Sequence, residues 1–331
     1  MILRGLGIHL PAHHHSAATI AAASGVPEAI VRSKMGITRK TVAGPEDHTN
    51  LMGIRAAQAA LADAGVEAGQ LDLLISITEE HKEYPVWTAG IHAAHALGAT
   101  RAYAFDIGQK CGSAVLGLKL ARDLLLADAD LNTILIAGGY RNSDLVDYAN
   151  PATRFLNNLA AGGGAAVVTR EGPGFEILGS AFITDGSFAE DVIVPVGGTR
   201  EPATPDNLHR YRFHIPDAPG MKARMERRSL DNFTTVIEQA CARSGLRAQD
   251  AAHLAILHMK RSAHEEILRR TGIPAQRTIY LSDYGHVGQV DPLLSLKLAR
   301  DQGRLHDGDV SILCTAGIGY VWNALCVRLR K

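Results

Sequence analysis

The chain has 331 residues, 46% hydrophobic and 21% charged, with 34 Lys and Arg balanced by 34 Asp and Glu. A net charge of zero removes any bulk electrostatic case for nucleic-acid or membrane-surface binding, no apolar run approaches a membrane span, and the N-terminus has no extended apolar segment before a cleavage site. Four cysteines (Cys111, Cys241, Cys314, Cys326) without CxxC pairing or zinc spacing point to reduced thiols in a cytoplasm.

In chain order, residues 2–8 form a short apolar run ended by Pro11 and read as a strand. The His13-His14-His15 run that follows lies in an expected loop with no further ligands evident, so no metal is assigned. Residues 17–35 are Ala-rich and helical in pattern, and 34–40 form a basic turn. Residues 49–64 keep helical apolar spacing (Leu51, Met52, Ile54, Ala57, Ala60, Leu61) and are closed by Gly65. The run LDLLISI, 71–77, is continuous and of strand length, the pattern of a strand buried on both faces of a parallel sheet. A polar loop over 78–85 and a helix over 89–97 come next. YAFDI, 103–107, reads as a short buried strand, and TILIA, 133–137, as another. Gly162-Gly163-Gly164 lacks GxGxxG spacing and a Lys-Ser/Thr ending and runs into a strand, so its small residues serve close backbone packing rather than a phosphate.

A strand is expected over 175–184. Residues 185–219 form a long stretch with prolines, aromatics and basic residues but little regular pattern, of the kind that is functional or mobile inside a compact protein. A helix over 221–245, a buried strand over 254–257 ending at His258, a helix over 263–271 closed by Gly272, and a short strand over 279–281 follow. The turn at 283–291 leads into a helix over 292–302, and strands over 309–314 and 321–329 flank a glycine turn at 316–320. Strands and helices alternate before about residue 170 and again after it, which argues an α/β architecture of two similar halves, 1–172 and 173–331.

Cys111 stands between the 103–107 strand and a helix whose residues Val115, Leu116, Leu118, Leu120, Leu124 and Leu125 keep helical spacing. Unpaired N–H groups and the positive end of the helix dipole at such a junction favour a thiolate and suit a nucleophile; a small buried Cys filling the junction is the alternative.

Several stretches together resemble the ketoacyl-ACP synthase III branch of the thiolase superfamily. They are Asp106 to Ala114 around Cys111, Leu257-His258-Met259-Lys260 after an apolar strand, Tyr284-Gly285-His286, Gly303-Arg304-Leu305 with Gly308-Asp309, and Ala316-Gly-Ile-Gly-Tyr-Val-Trp322. Met35-Gly36-Ile37 with Arg39 and the loop ending in Tyr84-Pro85 also fall in similar places, so the resemblance covers almost the whole chain. It implies a five-layered αβαβα thiolase-like fold, a cytoplasmic homodimer, and acylation of Cys111 by a thioester of coenzyme A or an acyl carrier protein, with no tightly bound cofactor. The acyl-enzyme would split one transfer into two easier steps. His258 would act on protons or stabilise an enolate or leaving group, and backbone N–H groups of Cys111 and the Gly317–Gly319 turn would form an oxyanion hole. A His capping a strand and a plain glycine turn are the alternatives.

This chain also departs from that family. His286 stands in place of the Asn, and Gly285-His286-x-Gly288-x-x-Asp291 is more similar to divergent members that pass an acyl group to an oxygen, nitrogen or carbon acceptor in secondary metabolism. Asp291 would then orient a His, or cap a helix at Pro292. The family's Gly-Asp-Gly is Ala160-Ala161-Gly162 and its early Trp is Ile30. Lys34, Arg39 and Lys40 would greet a phosphopantetheine or an acidic carrier protein, or form a solvated surface. Glu79 stands where related hydroxymethylglutaryl-CoA synthases carry a general base, with a charged surface loop as the alternative. Tyr84 would line the acyl pocket or reach a partner subunit. The expected function is acyl transfer through acyl-Cys111 to a small-molecule acceptor; the alternatives are a decarboxylative condensing enzyme and a non-catalytic subunit.

Overall fold

The continuous apolar runs of the sequence become the inner strands of one sheet. In the computed structural model, which describes residues 1–331, the strands are β1 (Ile2–His9), β2 (His14–Ser16), β3 (Arg39–Thr41), β4 (Leu73–Ser76), β5 (Tyr103–Asp106), β6 (Thr133–Tyr140), β7 (Gly162–Thr169), β8 (Gly174–Thr184), β9 (His253–Ile256), β10 (Val310–Gly317) and β11 (Val321–Arg330). The helices are α1 (Ala17–Ser24), α2 (Glu28–Ile30), α3 (Thr49–Ala64), α4 (Ala89–Leu97), α5 (Ser113–Ala127), α6 (Ala218–Ala242), α7 (Arg261–Thr271) and α8 (Asp291–Asp301). Nine strands form a sheet in the order β5-β4-β6-β7-β1-β8-β11-β10-β9, while β2 and β3 pair separately. Outward from the β1–β8 contact, each side repeats the same pairings. β1–β7 and β7–β6 are antiparallel and β6–β4 parallel; β8–β11 and β11–β10 are antiparallel and β10–β9 parallel.

Burial follows the side-chain alternation of the strands and builds five layers. On one face of the first half, Leu74, Leu135, Ala137, Ala165 and Val167 pack against α3 and α4. On the other face, Leu73, Ile75, Ile134 and Ile136 share one core with Ala114, Val115 and Leu118 of α5, Leu293 and Leu296 of α8, and Leu313, Leu325 and Val327 of the second half. The two central helices are therefore covered on both sides. The outermost layer, α6 and α7, contributes Val236, Ile237, Ala240 and Ile267 against Leu254, Ile256, Ile312 and Cys314. No helix is long and apolar enough to cross a membrane.

The glycine-rich strand serves the packing its sequence implies. A Cβ on Gly163 would lie 2.1 Å from the Met52 carbonyl oxygen, and one on Gly139 would lie 1.7 Å from that of Thr49. Helix α3 thus rests with its backbone directly on β6 and β7.

Several expectations are corrected. The helical pattern over 17–35 is broken: Gly25 at φ 67 closes α1 with a left-handed cap, Pro27 starts a new turn, and 31–35 is a π-helical turn. The YAFDI strand is not interior. It is the sheet edge, with Tyr103 52% exposed, because only β4 pairs with it. Residues 279–281 form no strand; the only pairing there is an isolated bridge between Leu254 and Thr278. Lys40 is not a solvated side chain but fully buried. Its Nζ donates to the Leu159 carbonyl at 2.5 Å and lies 5.0 Å above the Tyr148 ring, and burial pushes its pKa down to about 7.

Replacing Gly163 by Ala should destabilise the protein by about 1–3 kcal/mol through overpacking against α3. Gly69→Ala, whose Cβ meets nothing within 4 Å, should stay within about 0.5 kcal/mol of wild type. Urea unfolding of the two variants measures the difference, and equal midpoints would refute the backbone contact.

Candidate active site

Cys111 sits in a single 3-10 turn, Lys110–Gly112, wedged between the end of β5 and the first residue of α5. The turn is tight enough to hold Lys110 at φ 52, a left-handed conformation that costs a side-chain-bearing residue energy and is kept only where the surroundings fix it. Those surroundings are specific. Ser113 Oγ accepts from the Gln109 N–H at 2.8 Å and donates to the Lys110 carbonyl at 2.7 Å. From the second half, Thr315 Oγ1 donates to the Cys111 carbonyl at 2.8 Å, and Asn323 Nδ2 donates to the Gly112 carbonyl at 3.1 Å. The hairpin β10–β11 thereby clamps the nucleophile turn from below. Cys111 is 4% exposed.

The group that reaches the sulfur is His286. Its Nε2 lies 3.3 Å from Cys111 Sγ, and its Nδ1 lies 2.6 Å from Asp291 Oδ2. Asp291 is fully buried at the start of α8, and its other oxygen accepts the Val287 N–H at 2.7 Å. The main chain fixes His286 as well: its N–H donates to Asn158 O and its carbonyl accepts from Ala160 N, both at 2.8 Å. Burial opposes charge on the imidazole, but the Asp291 carboxylate and the Cys111 sulfur, both hydrogen-bonded to it, push the His286 pKa well above the ordinary value. The arrangement is a buried thiol, an imidazole in contact with it, and a carboxylate that orients the imidazole, the groups that nucleophilic catalysis uses.

His258 follows just past the end of β9 but makes no hydrogen bond to the sulfur. Its Nε2 lies 3.1 Å from the Gly36 carbonyl, which fixes the proton on that nitrogen, and its Nδ1 lies 3.1 Å from Asn158 Nδ2, leaving it to accept. Burial pushes its pKa down to about 4, so it is a neutral imidazole with both nitrogens engaged. Its backbone N–H donates to Asp291 Oδ2 at 2.8 Å, the same oxygen that holds His286. His258 therefore meets the site through its main chain.

Gly317 lies in the β10–β11 ladder opposite Val321, and a Cβ there would sit 2.3 Å from the Gln109 carbonyl oxygen, so it lets the hairpin close on the nucleophile turn. Gly319 is in the turn itself. Neither its N–H nor that of Cys111 is taken up by an acceptor within the chain. Glu79 is buried at 6% exposure rather than part of a charged surface, and burial raises its pKa beside Lys110, Asn142 and His286. Glu80, by contrast, is ion-paired with Lys110. Tyr84 does not join the site. It is 65% exposed and packs edge-on against Trp87, because its loop turns outward ahead of α4. In the His run, His14 Nδ1 is held by the Ala12 carbonyl and His15 Nδ1 lies 3.3 Å from the Tyr148 hydroxyl.

Sequence reasoning missed Asn158, Tyr140 and Asn323. Asn158 carries no local signal, since it is one polar residue before an apolar strand. Tyr140 carries none either: the fold alone brings it to Gly288, where a Cβ would lie 2.2 Å from its ring. Phe188, Val192, Phe213 and Ile215 of the irregular 185–219 stretch enter the same apolar cluster as Cys111.

Residues 105–186 match the family description 3-Oxoacyl-[acyl-carrier-protein (ACP)] synthase III, and residues 241–329 match its C-terminal counterpart. The chain is 29% identical to the beta-ketoacyl-(acyl-carrier-protein) synthase III of Symbiobacterium thermophilum, over 90% of this chain and 88% of that one. It is 27% identical to the 3-oxopimeloyl-(acyl-carrier-protein) synthase of Rhodothermus marinus, over 98% of this chain and 92% of that one. Among solved structures, the 3-oxoacyl-(acyl carrier protein) synthase III of Pseudomonas aeruginosa superposes with a TM-score of 0.85 at 24% identity, covering 100% of this chain and 98% of that one. OleA of Xanthomonas campestris superposes with a TM-score of 0.82 at 16% identity, covering 99% and 96%.

The His286–Asp291 pair makes a signed prediction. A histidine whose pKa is raised on folding adds stability that is fully present below the unfolded imidazole value of about 6.5 and is lost as pH rises through the folded value. Asp291→Asn should therefore flatten the fall in stability above about pH 6.5, as read by urea unfolding at a series of pH values. It should also slow alkylation of Cys111 by iodoacetamide about tenfold or more at neutral pH. Unchanged alkylation would separate Asp291 from the nucleophile.

Proposed function

The chain belongs to the 3-oxoacyl-(acyl-carrier-protein) synthase III family, and we propose that it is an acyltransferase that carries the acyl group on Cys111. The observation that carries this reading is the Cys111–His286–Asp291 chain, with contacts of 3.3 and 2.6 Å. In the first half-reaction the sulfur attacks the carbonyl carbon of a coenzyme A or carrier-protein thioester while His286 Nε2 takes the thiol proton. The free N–H groups of Cys111 and Gly319 receive the developing oxyanion. The C–S bond to the donor breaks, and His286 returns the proton to the departing thiol. In the second half-reaction a small-molecule acceptor attacks acyl-Cys111, His286 takes the acceptor's proton, and the sulfur leaves and is reprotonated. His258 supports this as a positioning residue, through the N–H that it gives to Asp291. Glu79 is the candidate group on the acceptor side of the sulfur. What supports an acceptor from secondary metabolism is the similarity of Gly285-His286-x-Gly288-x-x-Asp291 to the divergent members.

The names of the relatives favour a second reading, decarboxylative condensation with a malonyl thioester. It requires a donor that polarises the malonyl thioester carbonyl; both ring nitrogens of His258 are engaged elsewhere, so that role would fall to His286. A non-catalytic subunit is disfavoured by the continuous hydrogen-bonded path from Asp291 to Cys111. The proposal includes a homodimer: the unpaired edge of β5, with exposed Tyr103, and the exposed Tyr84 and Val86 are surfaces a second copy would cover.

Incubation with acetyl-CoA and with acyl carrier protein thioesters, followed by intact-protein mass spectrometry, should show one acyl group on wild type and none on Cys111→Ala. His286→Ala should slow acylation by about a hundredfold or more. Carbon dioxide released from a malonyl thioester, with a β-keto product, would favour condensation instead.

A further inference from the structure

The main chain of His286 rests on a short segment, 158–161, just ahead of β7. The two meet in an isolated parallel bridge between Leu159 and His286. On that edge Asn158 O accepts the His286 N–H and the Ala160 N–H donates to the His286 carbonyl, both at 2.8 Å. Backbone groups alternate sides along an extended chain, so those of Leu159 and Ala161 point the other way. There they meet β3. The Ala161 N–H donates to the Thr41 carbonyl at 3.1 Å, and Thr41 Oγ1 donates to the Ala161 carbonyl at 2.6 Å. No backbone N–H reaches the Leu159 carbonyl. Its donor is Lys40 Nζ, at 2.5 Å.

Lys40 is placed for that carbonyl alone. It is fully buried, its Nζ has only the Tyr148 ring beside it at 5.0 Å, and no carboxylate pairs with it. Without it, Leu159 would keep a buried acceptor with no donor, in the middle of the segment that carries His286. The fit is close. Gly285, at φ 74 and next to His286, is where a Cβ would lie 2.6 Å from that of Lys40 and 2.8 Å from Asn158 O. The Thr41 N–H also donates to the Tyr284 carbonyl at 3.2 Å, so β3 holds both the segment and the turn that it supports.

We propose that Lys40 is a positioning residue for His286: by holding the Leu159 carbonyl it fixes the segment that keeps the imidazole in reach of Cys111. This deepens the acyl-transfer reading, from which it takes only the Cys111–His286 contact. Lys40 acts from outside the site, through two main-chain bonds, and touches neither the sulfur nor an acyl group. An amine donates whether or not it is protonated, so the bond does not depend on the charge of Lys40.

A double-mutant cycle tests whether Lys40 acts through His286. Iodoacetamide alkylation of Cys111 at neutral pH, followed on the Cys111 peptide by mass spectrometry, is measured for wild type, Lys40→Met, His286→Ala and the double variant, with melting curves for each. Lys40→Met is expected to slow alkylation about tenfold in wild type, and to change it less than about twofold when His286 is already Ala. Thr41→Val, a milder cut on the same edge that serves if Lys40→Met does not fold, is expected to slow it about threefold, again only with His286 present. Leu61→Ala, a core truncation in the α3 layer, lowers the melting temperature without this pattern. Equal slowing in both backgrounds, no slowing by Lys40→Met, or His286→Ala reacting as fast as wild type would overturn the proposal. The expected cycle in a protein that takes no acetyl group from acetyl-CoA would uphold the positioning role while refuting the transferase reading.

Discussion

One buried carboxylate organises the site. Asp291 has no solvent exposure, yet it accepts from the His286 ring, the His258 N–H and the Val287 N–H. A buried carboxylate is tolerated only when its lone pairs are taken, and removing one partner of such a pair typically costs about 3–5 kcal/mol. These three bonds tie the end of β9, the 283–291 turn and the start of α8 to one point. The ring held there is the one that meets Cys111, so the position of the base depends on the same bonds that stabilise the turn.

The five layers bring the nucleophile to that point. Cys111 comes from the first half of the chain, His286 and Asp291 from the second, and α5 and α8 lie side by side in the central layer with apolar residues facing both half-sheets. Cys111 and His286 stand on the turns that lead into the N-terminal ends of these two central helices. Thr315 and Asn323, from the hairpin of the second half, hold the Cys111 turn by its carbonyls. Close packing makes this contact reproducible: where glycines let α3 rest on β6 and β7, the strands have little freedom to slide.

The two histidines have separate environments and therefore separate chemistry. His258 is desolvated and faces a carbonyl and an amide, so it stays neutral. His286 is equally buried, but it faces a carboxylate and a sulfur, which push its pKa up instead of down. Opposite shifts in neighbouring groups separate an acid–base residue from a structural one. On the proposed reading, proton handling falls to His286 and His258 holds its partner Asp291.

Much of this was legible in the sequence. Continuous apolar runs marked the interior strands, Gly65 and Gly272 marked helix ends, and the junction around Cys111 marked a candidate nucleophile, because each is a local consequence of periodicity or backbone conformation. Asp291 was readable as a group that orients a histidine or as a helix cap. The sequence alone did not separate the two, since both need an acidic residue before Pro292. Other features depended on neighbours remote in the chain. Lys40 reads as a surface cation but lies buried on Leu159, YAFDI reads as an interior strand but is the sheet edge, and Tyr140 reads as part of a strand but faces the nucleophile. The amino-acid sequence by itself determined the elements, the α/β class and the residue types able to do acyl-transfer chemistry. Only the tertiary structure decided which histidine touches the sulfur and what holds it there. Those contacts join residues about 175 positions apart, and they follow from sheet register and layer packing, which no local pattern encodes.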